Sequence, residues 1–203
     1  MWSRVSVWLV VALAAGGCGG ARTTGPAQAG SGVCGDDMTM VSPPGVCMDR
    51  YEASRGNGDK AASVEGAMPW VNLSQKDAQA ACEEAGKRLC TKEEWTAACT
   101  GPPPGRTYPF GDNYAPKTCN AVDNGAGAAV PSGSLKGCTG AFPQLYDLVG
   151  NVWEWTASCG LGKCRVRGGS FKSNGKSVKC VAGADFGTGD SDETIGFRCC
   201  RNP

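Results

Sequence analysis

The chain has 203 residues, with 20 Lys+Arg against 19 Asp+Glu, 31 Gly, 13 Cys and no His. So even a charge leaves no basic surplus to hold a nucleic-acid backbone, and no nucleic-acid partner is expected. The missing histidines exclude Ser-His-Asp and Cys-His nucleophile systems, the H-E-x-x-H zinc site and the two-His-one-carboxylate iron site.

In chain order, Arg4 precedes an apolar run over residues 5–15. The run is too short to span a bilayer and fits the apolar region of a secretory signal. Small residues and then Cys18 follow, which resembles a bacterial lipoprotein signal; ordinary cleavage near Ala14 is the alternative. The expected organisation is a signal peptide over 1–17, a lipidated Cys18 opening a flexible tether over 18–32, and a folded domain over 33–203. The expected place is the cell envelope, held to the membrane by lipid. Gly19 lacks the Asp that resembles an inner-membrane retention signal, so the outer membrane is expected in a two-membrane bacterium. The odd cysteine count agrees, because lipid on Cys18 leaves an even number for disulfides.

Within the domain, Pro43-Pro44-Gly45 marks a turn between two short strands, with Cys34 and Cys47 on either side. Residues 54–68 read as a polar loop. Ser74 and Asp77 open a helix whose stripe is Ala78, Ala81, Cys82 and Ala85, stopped at Gly86. Thr91 and Glu94 open a second, with Trp95, Ala98 and Cys99 on its buried side and Gly101-Pro102-Pro103 ending it. Residues 106–145 are irregular and need cross-links or bound ions to stay ordered. Short strands are expected within 146–158, 165–171 and 194–201. Trp95 and Trp153 read as core; with Trp155 and Trp70 they are also the aromatics available to a cleft.

Four ordered segments carry a family resemblance. They are VNLSQKDAQAACEEAGKRLCTKEEWTAAC (71–99), YPFGD (108–112) with YDLVGNVWEW (146–155), RVRGGSF (165–171) and IGFRCC (195–200). Together they resemble the formylglycine-generating enzyme family of sulfatase-modifying factor domains, over roughly residues 38–201. The resemblance implies an irregular, loop-rich, disulfide-stapled α+β fold of the C-type-lectin-like kind. It implies an oxidase that converts a sulfatase cysteine to formylglycine with oxygen and copper. The copper would sit on two thiolates in the loop after the G-G-S-aromatic segment, since soft thiolates suit Cu(I).

This chain departs there. Ser173 stands where the first active-site Cys would fall, and no second Cys occurs before Cys180, which matches a structural half-cystine. The loop is shortened, with Asn174-Gly175 as a tight turn. Copper binding is therefore not expected. The iron-dependent relatives need histidines that this chain lacks. A non-catalytic binding or scaffold module is expected, with a protein or small-molecule ligand and Phe171, Lys172 and Asn174 edging any pocket. The alternatives are the oxidase itself and a purely structural envelope protein.

The resemblance also implies disulfides Cys82–Cys199 and Cys99–Cys180. Cys199 and Cys200 are adjacent, and strand neighbours face opposite ways, so they take different partners; Cys90 is left for Cys200. Local spacing adds Cys34–Cys47, Cys119–Cys138 and Cys159–Cys164. Zinc on these cysteines is disfavoured, because export favours oxidation and no C-x-x-C pair exists. Finally, the resemblance implies calcium on the Asp147 and Glu154 side chains and the Gly150 and Val152 carbonyls, oxygen donors that suit the ion. A second family site would begin at Asn120, where Asp123 lies too near in sequence to be the clear acidic partner.

Overall fold

The computed structural model describes residue 2 and residues 33–203. Cys18, the tether and all of the signal but residue 2 lie outside the described residues.

The first strands form as a hairpin. β1 (Met38–Val41) and β2 (Val46–Asp49) pair antiparallel across the Pro43-Pro44-Gly45 turn. The polar stretch after them is not a plain loop. β3 (Ala53–Arg55) and β4 (Ala61–Ser63) make a second, two-stranded hairpin. Helix α1 (Gln75–Glu84) starts at Ser74, whose Oγ accepts from the Asp77 N–H at 3.2 Å. It ends in a Schellman turn: the Lys87 N–H donates to the Cys82 carbonyl and the Gly86 N–H to that of Glu83, with Gly86 at φ +70°. After β5 (Arg88–Leu89), helix α2 (Lys92–Thr100) opens on a full capping box between Thr91 and Glu94 and stops at Gly101.

The later strands are shorter than the motifs that announce them. β6 (Trp153–Gly160) begins only at Trp153, so 146–152 is a turn. β7 (Lys163–Arg167) ends before Gly168, and 168–171 turns away. β8 (Gly183–Gly187) was not legible as a strand, having one aromatic and no β-branched residue to mark it. The last run breaks at Arg198 into β9 (Ile195–Phe197) and β10 (Cys199–Arg201).

Two four-stranded sheets result, in the orders β1-β2-β10-β5 and β8-β7-β6-β9, with β6 and β9 parallel. One apolar cluster gathers around Trp95, Leu145, Leu148 and Val149. The other packs α1 against Leu89, Trp155, Ile195 and Phe197. Six disulfides tie these parts: Cys34–Cys47, Cys82–Cys199, Cys90–Cys200, Cys99–Cys180, Cys119–Cys138 and Cys159–Cys164. They are the same six pairs. Cys199 turns to α1 while Cys200 reaches the segment before α2, as neighbouring strand positions must.

At the joint of β2 and β10, Asp49 is wholly buried. It pairs with Lys87 at 2.6 Å and accepts from the Cys199 N–H at 3.1 Å. Burial outweighs that pairing and raises its carboxyl to about 6. A carboxyl raised on folding binds its proton more tightly in the native state. Its contribution to stability is therefore intact below the ordinary carboxylate range and falls as pH rises through about 6. We expect Asp49 to cost up to about 3 kcal/mol between pH 4 and 7. Melting curves across that range should fall less steeply for Asp49→Asn than for the unaltered protein; equal slopes would contradict it.

Candidate functional site

The shortened loop after β7 forms one wall of an open cleft of about 610 Å³. Ser173 lines it. The Ser173 Oγ accepts from the Ser170 N–H at 3.0 Å, and the Ser173 N–H donates to the Ser170 carbonyl at 2.9 Å, a closed local turn. Asn174 does not face the cleft. Its side chain accepts from the Lys176 N–H and caps the single 3-10 turn Gly175–Ser177. A Cβ at Gly175 would lie 1.6 Å from the Tyr114 hydroxyl oxygen, so any larger residue there has to displace the Tyr114 side chain.

The opposite wall is the β8–β9 connection, with Asp190, Asp192 and Thr194, and the floor includes Phe186 and Ile195. No motif marks this connection in the sequence; it reaches the site through the parallel pairing of β9 with β6. Trp153, expected in the core, is half-buried and lines the cleft, whereas Trp155 is the buried one and donates its Nε1–H to the Leu73 carbonyl at 3.0 Å. The two share a strand face. Trp153, however, is the first residue of β6, at the end of the sheet. Trp95 is buried, and Trp70 is half-buried away from this cleft. Lys172 lines the cleft, while Phe171 lies on the far side of the loop.

The cleft offers hydroxyls, carboxylates and one amine. Its nucleophile candidates are the hydroxyls of Ser170, Ser173, Ser191 and Thr194. The amine on hand, Lys172, pairs with Glu193 at 2.5 Å, which holds it protonated and above its usual range. A protonated lysine cannot serve as the base that a serine needs. The donors are hydroxyl and carboxylate oxygens, which do not fit Cu(I). Among the described residues, every cysteine is in a disulfide, so no thiolate is offered anywhere near Ser173.

Behind the cleft lies a buried charge cluster. Glu154 gives both carboxylate oxygens to the Arg198 guanidinium at 2.6–2.9 Å and accepts from the Trp95 Nε1–H at 2.6 Å. Arg198 spends its other donors on the Asp49 and Tyr146 carbonyls at 3.1 and 2.9 Å. Asp147 accepts from the Gly133 N–H at 2.6 Å, and its carboxyl is raised to about 6, first by burial. Glu52, which no motif flagged, accepts from Ser132, Asn151 and the Val152 N–H, and burial pushes it well above its usual range. Three buried carboxylates thus share one arginine. The turn that assembles them uses left-handed Asp147, Gly150 and Asn151. Gly150 also approaches the Asn120 carbonyl so closely that a Cβ would lie 2.5 Å from it.

This donor set is compatible with a hard cation, because the carboxylates outnumber the arginine and buried negative charge needs a partner. Among the described residues no three Asp, Glu, Cys or His side chains converge on one point. The calcium ion expected from the sequence would have to be held by Asp147 and the Gly150 and Val152 carbonyls, because Glu154 already gives both oxygens to Arg198. Asp147→Asn is the cleaner probe, since Glu154 also holds Arg198. Calcium at a hundredfold excess over Kd is expected to add about 2.7 kcal/mol, most of it lost in Asp147→Asn. A melting temperature indifferent to calcium and to chelator would contradict the assignment. Elsewhere, Asn120 has a buried Oδ1 with no hydrogen-bond partner; Asp123 accepts from the Tyr114 hydroxyl and the Lys117 N–H through Oδ2, while its buried Oδ1 is also unpartnered.

Fold and cleft together define a loop-rich, disulfide-stapled α+β domain of the C-type-lectin-like kind. The profile of the sulfatase-modifying factor enzyme 1-like domain matches residues 35–203, and the chain belongs to that family. Among its relatives, the inactive C-alpha-formylglycine-generating enzyme 2 of Bos taurus is 40% identical over 106 residues, 45% of this chain and 33% of that protein. The formylglycine-generating enzyme of Mus musculus is 34% identical over 161 residues, covering 64% and 43%. That of Streptomyces coelicolor is 30% identical over 165 residues, covering 66% and 52%. The chain thus spans between a third and about half the length of these relatives. Among solved structures, Treponema denticola variable protein 1 superposes with a TM-score of 0.63 at 15% identity, over 78% of this chain and 84% of that one. PvdO from Pseudomonas aeruginosa gives 0.60 at 17%, over 78% and 80%. At such identities these show the fold alone.

Proposed function

We propose that this protein is a non-catalytic member of the family, a binding module whose ligand enters the cleft between Ser173 and the β8–β9 connection. The observation that carries the reading is the serine at the head of the loop together with the cysteine pairing. Cys180, the first cysteine after Ser173, is joined to Cys99. Formylglycine formation needs thiolates free to hold metal and substrate, and the described domain retains none. The likeness to a relative described as inactive supports the same reading. We place the module at the cell envelope, held by lipid on Cys18, in which case the Cys18→Ala protein loses membrane association.

The test is aerobic incubation of the Cu(I)-treated, oxidised protein with a cysteine-containing sulfatase peptide, followed by mass spectrometry. The expected product is unmodified peptide. The aldehyde would overturn the reading. Ser173→Cys is expected to stay inactive, since it supplies one thiolate where two are needed.

A further inference from the structure

A second groove, of about 660 Å³, shares no residue with the cleft beside Ser173. Its floor is one face of β7. Lys163, Arg165 and Arg167 alternate with the buried Cys164 and Val166, so all three cations share that face. The strands beside β7 leave much of it uncovered, although β6 sets the buried Glu154 opposite Arg167 and β8 sets Asp185 opposite Arg165. Gly160 stands opposite Lys163 in β6, while β8 sets Gly187 beside Lys163 and Gly183 beside Arg167. At Gly183 a Cβ would come 2.7 Å from the Arg165 Nε, so glycine keeps the shelf open. Lys92 adds a fourth cation from the wall.

The groove is short of negative charge. Asp185 answers Arg165 at 3.1 Å, and Glu93 reaches Lys92 only at 3.6 Å. Among the described residues, neither Lys163 nor Arg167 forms an ion pair; Arg167 donates one Nη1–H to the Val181 carbonyl at 3.0 Å, while its buried Nε has no hydrogen-bond partner. Burial and the neighbouring Arg165 push the Arg167 guanidinium below its usual range, outweighing the opposing pull of Glu93 and Asp185. A buried donor left unpaired is costly, and an oxyanion is the group that satisfies arginine forks and lysines together.

We propose that this groove binds a phosphate group, carried either on a soluble small molecule or on a lipid headgroup. Leu161 bears on the source. It stands fully exposed at the tip of the β6–β7 hairpin, which Cys159–Cys164 pins, at the lip of the groove. An exposed leucine beside a phosphate site would rest on the acyl region next to a headgroup, and it has no use for an inorganic ion.

The experiment titrates the full chain with inorganic phosphate, with pyrophosphate and with a soluble short-chain phosphatidylglycerol, reading binding by calorimetry. Lys163→Gln/Arg165→Gln is expected to weaken binding of whichever probe binds by roughly tenfold or more, as is usual when charge-assisted hydrogen bonds are lost. Lys92→Gln, on a different element, is expected to weaken it less while leaving β7 untouched. Preference for the lipid that Leu161→Ser abolishes identifies a headgroup; equal binding in Leu161→Ser identifies a soluble phosphate. The proposal is overturned if none of the three probes binds. It is equally overturned if both the double variant and Lys92→Gln bind as the unaltered protein does. Neither result bears on the cleft beside Ser173.

Discussion

Arg198→Met is expected to lower stability by about 3–5 kcal/mol, the largest effect of any single substitution in the domain. The reason is arithmetic of charge. Glu52, Asp147 and Glu154 are all buried, and Arg198 is the cation common to them. Removing it leaves Glu154 with only the Trp95 Nε1–H and strips donors from the Asp49 and Tyr146 carbonyls. A buried polar group without its partner bears the full cost of lost water. Glu52→Gln should be far milder. Its carboxyl is already pushed toward the neutral form, and the amide oxygen can still accept from the Val152 N–H, so that the loss is confined to the bond from the Asn151 Nδ2–H. Denaturant melts of the two variants check this. Equal losses would mean that the cluster is not organised around the arginine.

The second large effect concerns the staples, and here one pair hides behind another. Taken alone, Cys82–Cys199 closes a 117-residue separation, worth about 5 kcal/mol on chain entropy. Cys90–Cys200 runs almost parallel to it, however. With that bond intact, the path from Cys82 to Cys199 is only about ten residues, so replacing the first pair by alanine should cost nearer 3 kcal/mol. Removing both pairs opens a path of about 30 residues or more, limited by Cys99–Cys180, and the second removal should cost more than the first. Melting of the two double-alanine proteins and the quadruple variant measures it. A first removal costing about 5 kcal/mol would contradict the shared path.

The same structure shows which parts of the sequence speak for themselves. Both helices were legible because their starts are local chemistry: Ser74 with Asp77 and Thr91 with Glu94 satisfy the first N–H groups from within four residues. The hairpin at Pro43-Pro44-Gly45 was legible for the same reason. β3 and β4 were not, since their three-residue strands carry no β-branched or aromatic residue and are placed by pairing with each other and by packing Ala53 and Ala61 into the core. β8 is a glycine-bounded GADFG, held by its register on β7 and not by propensity. Arg198 sits between Phe197 and Cys199 in what reads as an apolar strand. A lone charge in such a run is the one signal that could have pointed to the buried cluster, though not to Glu52 far upstream. Ser173 was found through the motif before it. The wall facing it, Asp190 to Thr194, comes from a loop whose place depends on the parallel β6–β9 pairing, which no local pattern encodes. Trp153 and Trp155 show the limit of periodicity. The alternation puts both on one face, and only the position of Trp153 at the sheet's end decides that it meets solvent.

In the non-catalytic reading proposed above, Ser173 replaces the first metal-holding cysteine and every cysteine of the described domain is a structural half-cystine. Peptide mapping tests it most directly: the full chain is denatured without reduction, alkylated, digested and read by mass spectrometry. No alkylated cysteine is expected between Cys34 and Cys200, with Cys180 recovered linked to the Cys99 peptide. Cys180 alkylated together with a second domain cysteine would contradict it, because two free thiols are what the oxidase chemistry needs.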